Sequence, residues 1–126
     1  MNYTKSLAAF ALAVLAIGGI ACGGGGGGGG GGADGGQVAE GRKLFNRTCA
    51  VCHGPGGQGS PRLGKSLIDN AFSQDLSDAE LVEFLREGRS AGDPLNERGV
   101  DMPPKGGNPA LTDADLASIV AYLRSL

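Results

Sequence analysis

Cys49, Cys52 and His53 stand together in Cys49-Ala50-Val51-Cys52-His53, and Met102 follows 49 residues after the histidine, beside Pro103 and Pro104. Two cysteines three positions apart put their thiols about one helical turn apart. That spacing suits the two vinyl groups of one porphyrin, to which thiols add as thioethers. The next residue, His53, is then placed beneath the ring as an axial ligand to iron. C-x-x-C-H is the attachment signature of c-type haem. Zinc normally takes four nitrogen or sulfur ligands, and beyond these three the chain offers the distant Cys22. A thioredoxin-like dithiol belongs in a βαβ setting, and no stretch of this sequence alternates as a strand does. One covalently attached haem c is the expected cofactor.

A second axial ligand follows by elimination. The chain has one histidine, already used, and two methionines, of which Met1 is the initiator. Met102 remains. A thioether is a soft ligand that favours reduced iron and raises its potential. The prolines after it fix φ and stiffen the loop that carries it. The plain alternative is a core methionine in a proline-rich turn. With His53 and Met102 both bound, no coordination position is open. That argues for outer-sphere electron transfer and against oxygen activation, peroxidase chemistry or ligand sensing, so no catalytic residue is expected.

These residues need elements to position them. Val38, Gly41, Leu44 and Phe45 recur at helical spacing. Ser77-Asp78-Ala79-Glu80 has capping-box spacing and opens a helix that Gly88 can close. Thr112-Asp113-Ala114-Asp115 opens another, with Asp in place of the usual Glu, and Leu116, Ile119, Val120 and Leu123 form its apolar stripe. A short fourth helix is expected around Lys65 to Ala71. Between the helices lie two glycine- and proline-rich loops, Gly54 to Gly64 and Gly88 to Pro109. Loops so long in so small a domain imply something to wrap.

The rest of the chain reads as an address and a leash. Lys5 precedes an apolar run from Leu7 to Ile17, and Gly18-Gly19-Ile20-Ala21 leads into Cys22, which together make a secretory signal over residues 1–21. About 15 residues between Ser6 and Cys22 are too few for a membrane span. Of the 25 glycines, ten form the unbroken run Gly23 to Gly32, while residues 37–126 hold only 11. Residues 22–36 thus form a flexible tether with an r.m.s. reach of roughly 20 Å, and 37–126 one small domain. Formal net charge is −2, with no basic face for nucleic acid.

Around Cys22 the small and aliphatic residues resemble the bacterial lipobox, although Gly19 stands where Leu is usual. That resemblance implies lipidation of Cys22, cleavage before it, and a domain exported and held at the membrane. An uncleaved signal anchor with an incidental cysteine is the alternative. From Gln37 to Leu126 the chain resembles small class I, mono-haem cytochromes c of the bacterial type. The resemblance rests on Cys49-Ala50-Val51-Cys52-His53-Gly54, Gly56-Gly57-Gln58-Gly59, Met102-Pro103-Pro104 and the terminal helix. It implies an all-α fold of three to four helices around the haem, with first and last helices crossing at Gly41, Phe45 and Tyr122. It also implies a Pro61 carbonyl that accepts the His53 N–H and a Leu63 packed on the haem; a turn proline and a core leucine are the plain alternative.

The implied function is a membrane-tethered one-electron shuttle, monomeric, taking electrons from a quinol-oxidising complex or other donor. It would pass them to a terminal oxidase or another periplasmic acceptor. Arg62, Lys65, Arg98 and Lys105 either form a modest docking patch or are ordinary solvated charges. Alternatives are a haem subunit permanently bound to a larger oxidoreductase, and a haem enzyme or sensor with a labile Met102.

Overall fold

The computed structural model describes residues 35–126, so the leader, Cys22 and the tether as far as Asp34 lie outside the described residues. The helices are α1 (Gly35–Thr48), α2 (Ala50–His53), α3 (Ala71–Asp75), α4 (Asp78–Glu87) and α5 (Asp113–Arg124), with a tight turn at Pro104–Gly107. Among the described residues there is no strand, only an isolated antiparallel bridge between Arg89 and Met102. The fold is all-α, as expected, and α1, α4 and α5 are its three principal helices. No described helix is long and apolar enough to cross a membrane.

Both capping boxes form. The Ser77 hydroxyl accepts from the Glu80 N–H at 3.3 Å while Glu80 Oε2 accepts from the Ser77 N–H at 2.8 Å. Thr112 and Asp115 repeat the pattern at 3.2 and 2.8 Å, so the shorter carboxylate still reaches back. Gly88 closes α4 with φ 73° and an N–H donated to Phe84 O.

The core lies where α5 meets α1 and α4. Phe45, Leu81, Leu85, Leu111, Leu116, Ile119, Val120 and Tyr122 are all buried. The terminal helices approach so closely that a Cβ on Gly41 would overlap the Ser118 carbonyl. Only glycine permits that crossing. Just beyond it the Phe45 and Tyr122 rings pack at 5.2 Å with their planes 58° apart. Arg124, on the last turn of α5, ties the α3–α4 junction: it pairs with Asp78 at 2.9 Å and donates to Leu76 O at 2.6 Å and to Ser73 O.

Two boundaries differ from expectation. Gly35 and Gly36 belong to α1 rather than to the tether. The short helix lies at Ala71–Asp75, not Lys65–Ala71, because Asn70 caps it, its Oδ1 accepting from Ser73 N–H at 3.2 Å. The segment before Asn70 is held out of helix by Leu67 N–H bonding Gly57 O at 2.7 Å and by Asp69 at φ 49°.

Candidate haem site

The attachment motif begins where α1 ends. Cys49 keeps right-handed helical backbone between α1 and α2, and its carbonyl accepts from Cys52 N–H at 3.2 Å and His53 N–H at 3.0 Å. The two thiols therefore sit one turn apart on a continuous helical path, and both are free. Burial, with the neighbouring Cys52 adding to it, pushes the Cys49 thiol up to about 11. Among the described residues no group of three or more His, Cys, Asp or Glu side chains is arranged to hold a metal ion, as a zinc site would require.

Cys49, Cys52, His53 and Met102 all line one cavity of about 420 Å³, whose walls include Phe45, Leu67, Phe72, Leu81, Leu85 and Ile119. Its size lies within the range of small-molecule and cofactor sites, and its walls are mainly apolar. Chain turns after the motif close tightly on it: Gly64 N–H donates to Cys52 O at 3.1 Å, and Gly59 N–H to His53 O at 2.7 Å. A Cβ on Gly64 would lie 2.7 Å from Cys52 O and 2.8 Å from His53 Nδ1, so the backbone itself forms the cradle beside the imidazole.

His53 Nδ1 lies 2.9 Å from the Lys65 carbonyl oxygen. A carbonyl only accepts, so Nδ1 carries the proton and the Nε2 lone pair stays available to a metal. The donor set fits haem c: two free thiols at the attachment spacing, an imidazole fixed in the metal-binding tautomer, and a thioether on the same cavity.

The expected role of Pro61 is corrected here. Its carbonyl accepts from Arg98 Nη1 at 3.0 Å, and Lys65 supplies the acceptor for His53 instead. The intervening turn, in which Ser60 N–H bonds Gly64 O at 2.9 Å, brings Lys65 to the ring. Leu63 lines the cavity at its rim and is 41% exposed, so it is not a core leucine. No side-chain pattern announces a backbone acceptor, which is why Lys65 went unforeseen.

Arg89 was also missed. Its guanidinium stacks 4.5 Å from the Phe72 centroid and 4.8 Å from that of Phe84, in the cavity wall. Its backbone exchanges two 2.8 Å hydrogen bonds with Met102, pinning the methionine loop to the end of α4. The one available signal was an arginine directly after the helix-closing Gly88.

The four cations named as a possible patch are largely occupied. Lys65 pairs with Glu97 at 2.7 Å, Arg98 with the Pro61 carbonyl, and Lys105 donates to Leu111 O at 2.7 Å, while Arg62 is exposed. Exposed apolar side chains stand at the cavity rim, including Val51 at 75% and Leu95 at 67%.

Comparison with known proteins identifies the family. Residues 36–123 match the family model described as cytochrome c oxidase, cbb3-type, subunit III. Cytochrome c-555 of Prosthecochloris aestuarii is 35% identical over 90 residues, 69% of this chain and 85% of the relative. Cytochrome c-555 of Chlorobaculum thiosulfatiphilum is 33% identical over 87 residues, covering 69% of this chain and 93% of the relative. The cbb3-type cytochrome c oxidase subunit CcoP of Azospirillum brasilense is 31% identical over 91 residues, 71% of this chain but only 30% of that subunit. No solved structure matches the chain. A helical fold with free Cys49 and Cys52, His53 and Met102 on one cavity, matched over residues 36–123 by the family model and over 69% of the chain by small cytochromes, places the chain in the cytochrome c family as a mono-haem, class I-like member.

Proposed function

We propose that this c-type cytochrome is a membrane-tethered carrier of single electrons, in which Cys49 and Cys52 would hold one haem c as thioethers and His53 and Met102 would ligate its iron. The observation that carries the reading is the shared cavity: all four side chains line it, although Met102 comes from a separate loop. Haem c, when bound, supplies a one-electron ferrous–ferric couple. The chain's part is to hold ligands and exclude water. The Lys65 carbonyl fixes the His53 ring, the Arg89 bridge holds the Met102 backbone, and buried Leu81, Leu85 and Ile119 keep the cavity dry.

Tethering rests on the sequence of residues 1–34: an export signal, a lipidated Cys22 and a glycine leash, with the domain facing the periplasm or cell exterior. A quinol-oxidising complex or similar donor supplies electrons, and a terminal oxidase or periplasmic acceptor takes them. The likeness to oxidase subunits such as CcoP supports an oxidase as acceptor. It equally favours a second arrangement, permanent residence in such a complex.

Adding carbon monoxide to the reduced protein tests the closed-iron reading. Negligible binding is expected; fast, tight binding would mean that Met102 leaves the iron and that a ligand-binding enzyme or sensor is the better description. Detergent extraction separates shuttle from subunit, since a shuttle leaves the membrane alone and a subunit co-purifies with its complex.

A further inference from the structure

We propose that Glu97 and Arg98 are positioning residues that clasp the Met102 loop to the loop that orients His53, and so set how readily Met102 leaves the iron. This rests on the ligation proposed above. Lys65 is the pivot. Its carbonyl accepts from His53 Nδ1, and its Nζ donates to Glu97 Oε1 at 2.7 Å, across 32 residues of sequence. Beside it Arg98 Nη1 reaches the Pro61 carbonyl at 3.0 Å, across 37 residues. Two adjacent residues of one loop therefore grip both ends of the segment 61–65.

The clasp is connected to Met102 through a loop that is bonded to itself. Residues 90–101 leave and return at the Arg89–Met102 bridge, with 2.8 Å hydrogen bonds in both directions. Inside the loop Asn96 donates to Ser90 O at 2.8 Å and to Val100 O at 2.7 Å, and its Oδ1 accepts from Gly99 N–H at 3.0 Å. Asp101 Oδ1 closes the base by accepting from Ala91 N–H at 2.6 Å. A loop cross-braced in this way, a compact Ω-type loop, moves as a unit. Glu97 and Arg98 cannot swing away from residues 61–65 without pulling on the Met102 backbone.

Chemistry sets the strength of the clasp. The Lys65 and Glu97 side chains are 44% and 69% exposed, so their pair is screened by salt and releases with thermal motion. It is a reversible fastening between the loops serving the two axial ligands. Its charges face each other rather than a partner.

The test is the rate at which imidazole replaces Met102 in the oxidised holoprotein, followed by loss of the methionine-to-iron charge-transfer absorption, with thermal unfolding measured alongside. Saturating imidazole reports the rate of loop opening. Glu97→Gln and Arg98→Ala should each speed opening by about two- to fivefold, as expected for exposed charge-assisted contacts. Together they should give roughly tenfold, since both act on one loop. Melting should change little. Added salt should accelerate the parent but not Glu97→Gln, and the exchange Lys65→Glu with Glu97→Lys should restore slow opening. Parent-like rates in both single variants, failure of the charge exchange to restore, or speeding matched by an equal loss of thermal stability would overturn the clasp. Absence of the charge-transfer band in the parent would instead overturn the ligation on which it rests.

Discussion

Gly41→Ala is a severe test of the helix crossing, because helix propensity and packing pull in opposite directions. In an isolated helix the change would gain about 1 kcal/mol. At the crossing the new Cβ would sit 2.5 Å from the Ser118 carbonyl carbon, inside contact distance of its oxygen, and 3.0 Å from Tyr122 Cβ. Ordinary contacts begin at 3.4 Å, and two of these atoms are backbone, which cannot rotate aside. The helices must part by about 1 Å, in an interior packed like a crystal. Overpacking costs typically 1–3 kcal/mol, and the upper figure applies where backbone meets backbone. The net is a loss of about 2 kcal/mol, or roughly 8–16 °C in Tm for a domain of this size. Parting α1 from α5 also moves Phe45, which is part of the cavity wall. The holoprotein should therefore show an altered Soret circular dichroism together with the lower Tm. Gly35→Ala, at the first residue of α1 with nothing within 4 Å of the new atom, serves as the control and should leave the Soret signal unchanged and Tm no lower. A Gly41→Ala protein as stable as the parent would refute the close crossing.

Other consequences are open to measurement. Ile119→Ala empties a site that is 1% exposed and lines the cavity, and should cost about 2–5 kcal/mol in denaturant titration; a loss below 1 kcal/mol would mean a poorly packed wall. Hydrogen bonds from Ser77 hold Glu80 below its ordinary 4.5, and those from Thr112 hold Asp115 below its ordinary 3.8. Each depressed carboxylate stabilises the fold fully above its ordinary value and loses that contribution as pH falls through the lowered one. Stability should drop below about pH 4.5, more gently in the double variant Ser77→Ala, Thr112→Ala, and equal slopes would show that the boxes do not titrate with folding. Because the loop cations are mostly paired within the chain, association with a redox partner should slow by less than about threefold between roughly 0.02 and 0.2 M salt; a steep fall would reveal a charged docking face.

Much of the architecture could be read from the sequence, because its signals are local. Ser77 and Thr112 mark helix starts by side-chain chemistry three residues wide, and Cys49, Cys52 and His53 need only their spacing. Gly41 was placed by resemblance, and the close approach to Ser118 gives the physical reason. The failures share another cause. The resemblance points to Pro61 as the His53 acceptor, whereas the acceptor is the carbonyl of Lys65, which belongs to the backbone and is delivered by the turn Ser60–Gly64. Arg89 draws its place from Phe72 and Phe84, which only the folded chain brings together. Asn70 caps a helix of only five residues, too short to carry an apolar periodicity that would mark it in the sequence.

The most direct test of the central claim is the oxidised optical spectrum of Met102→Ala beside that of the parent. If His53 and Met102 hold the iron, the parent shows the methionine-to-iron charge-transfer band. The variant loses it while keeping its haem through denaturation, since Cys49 and Cys52 are untouched. An unchanged band in Met102→Ala would contradict the account.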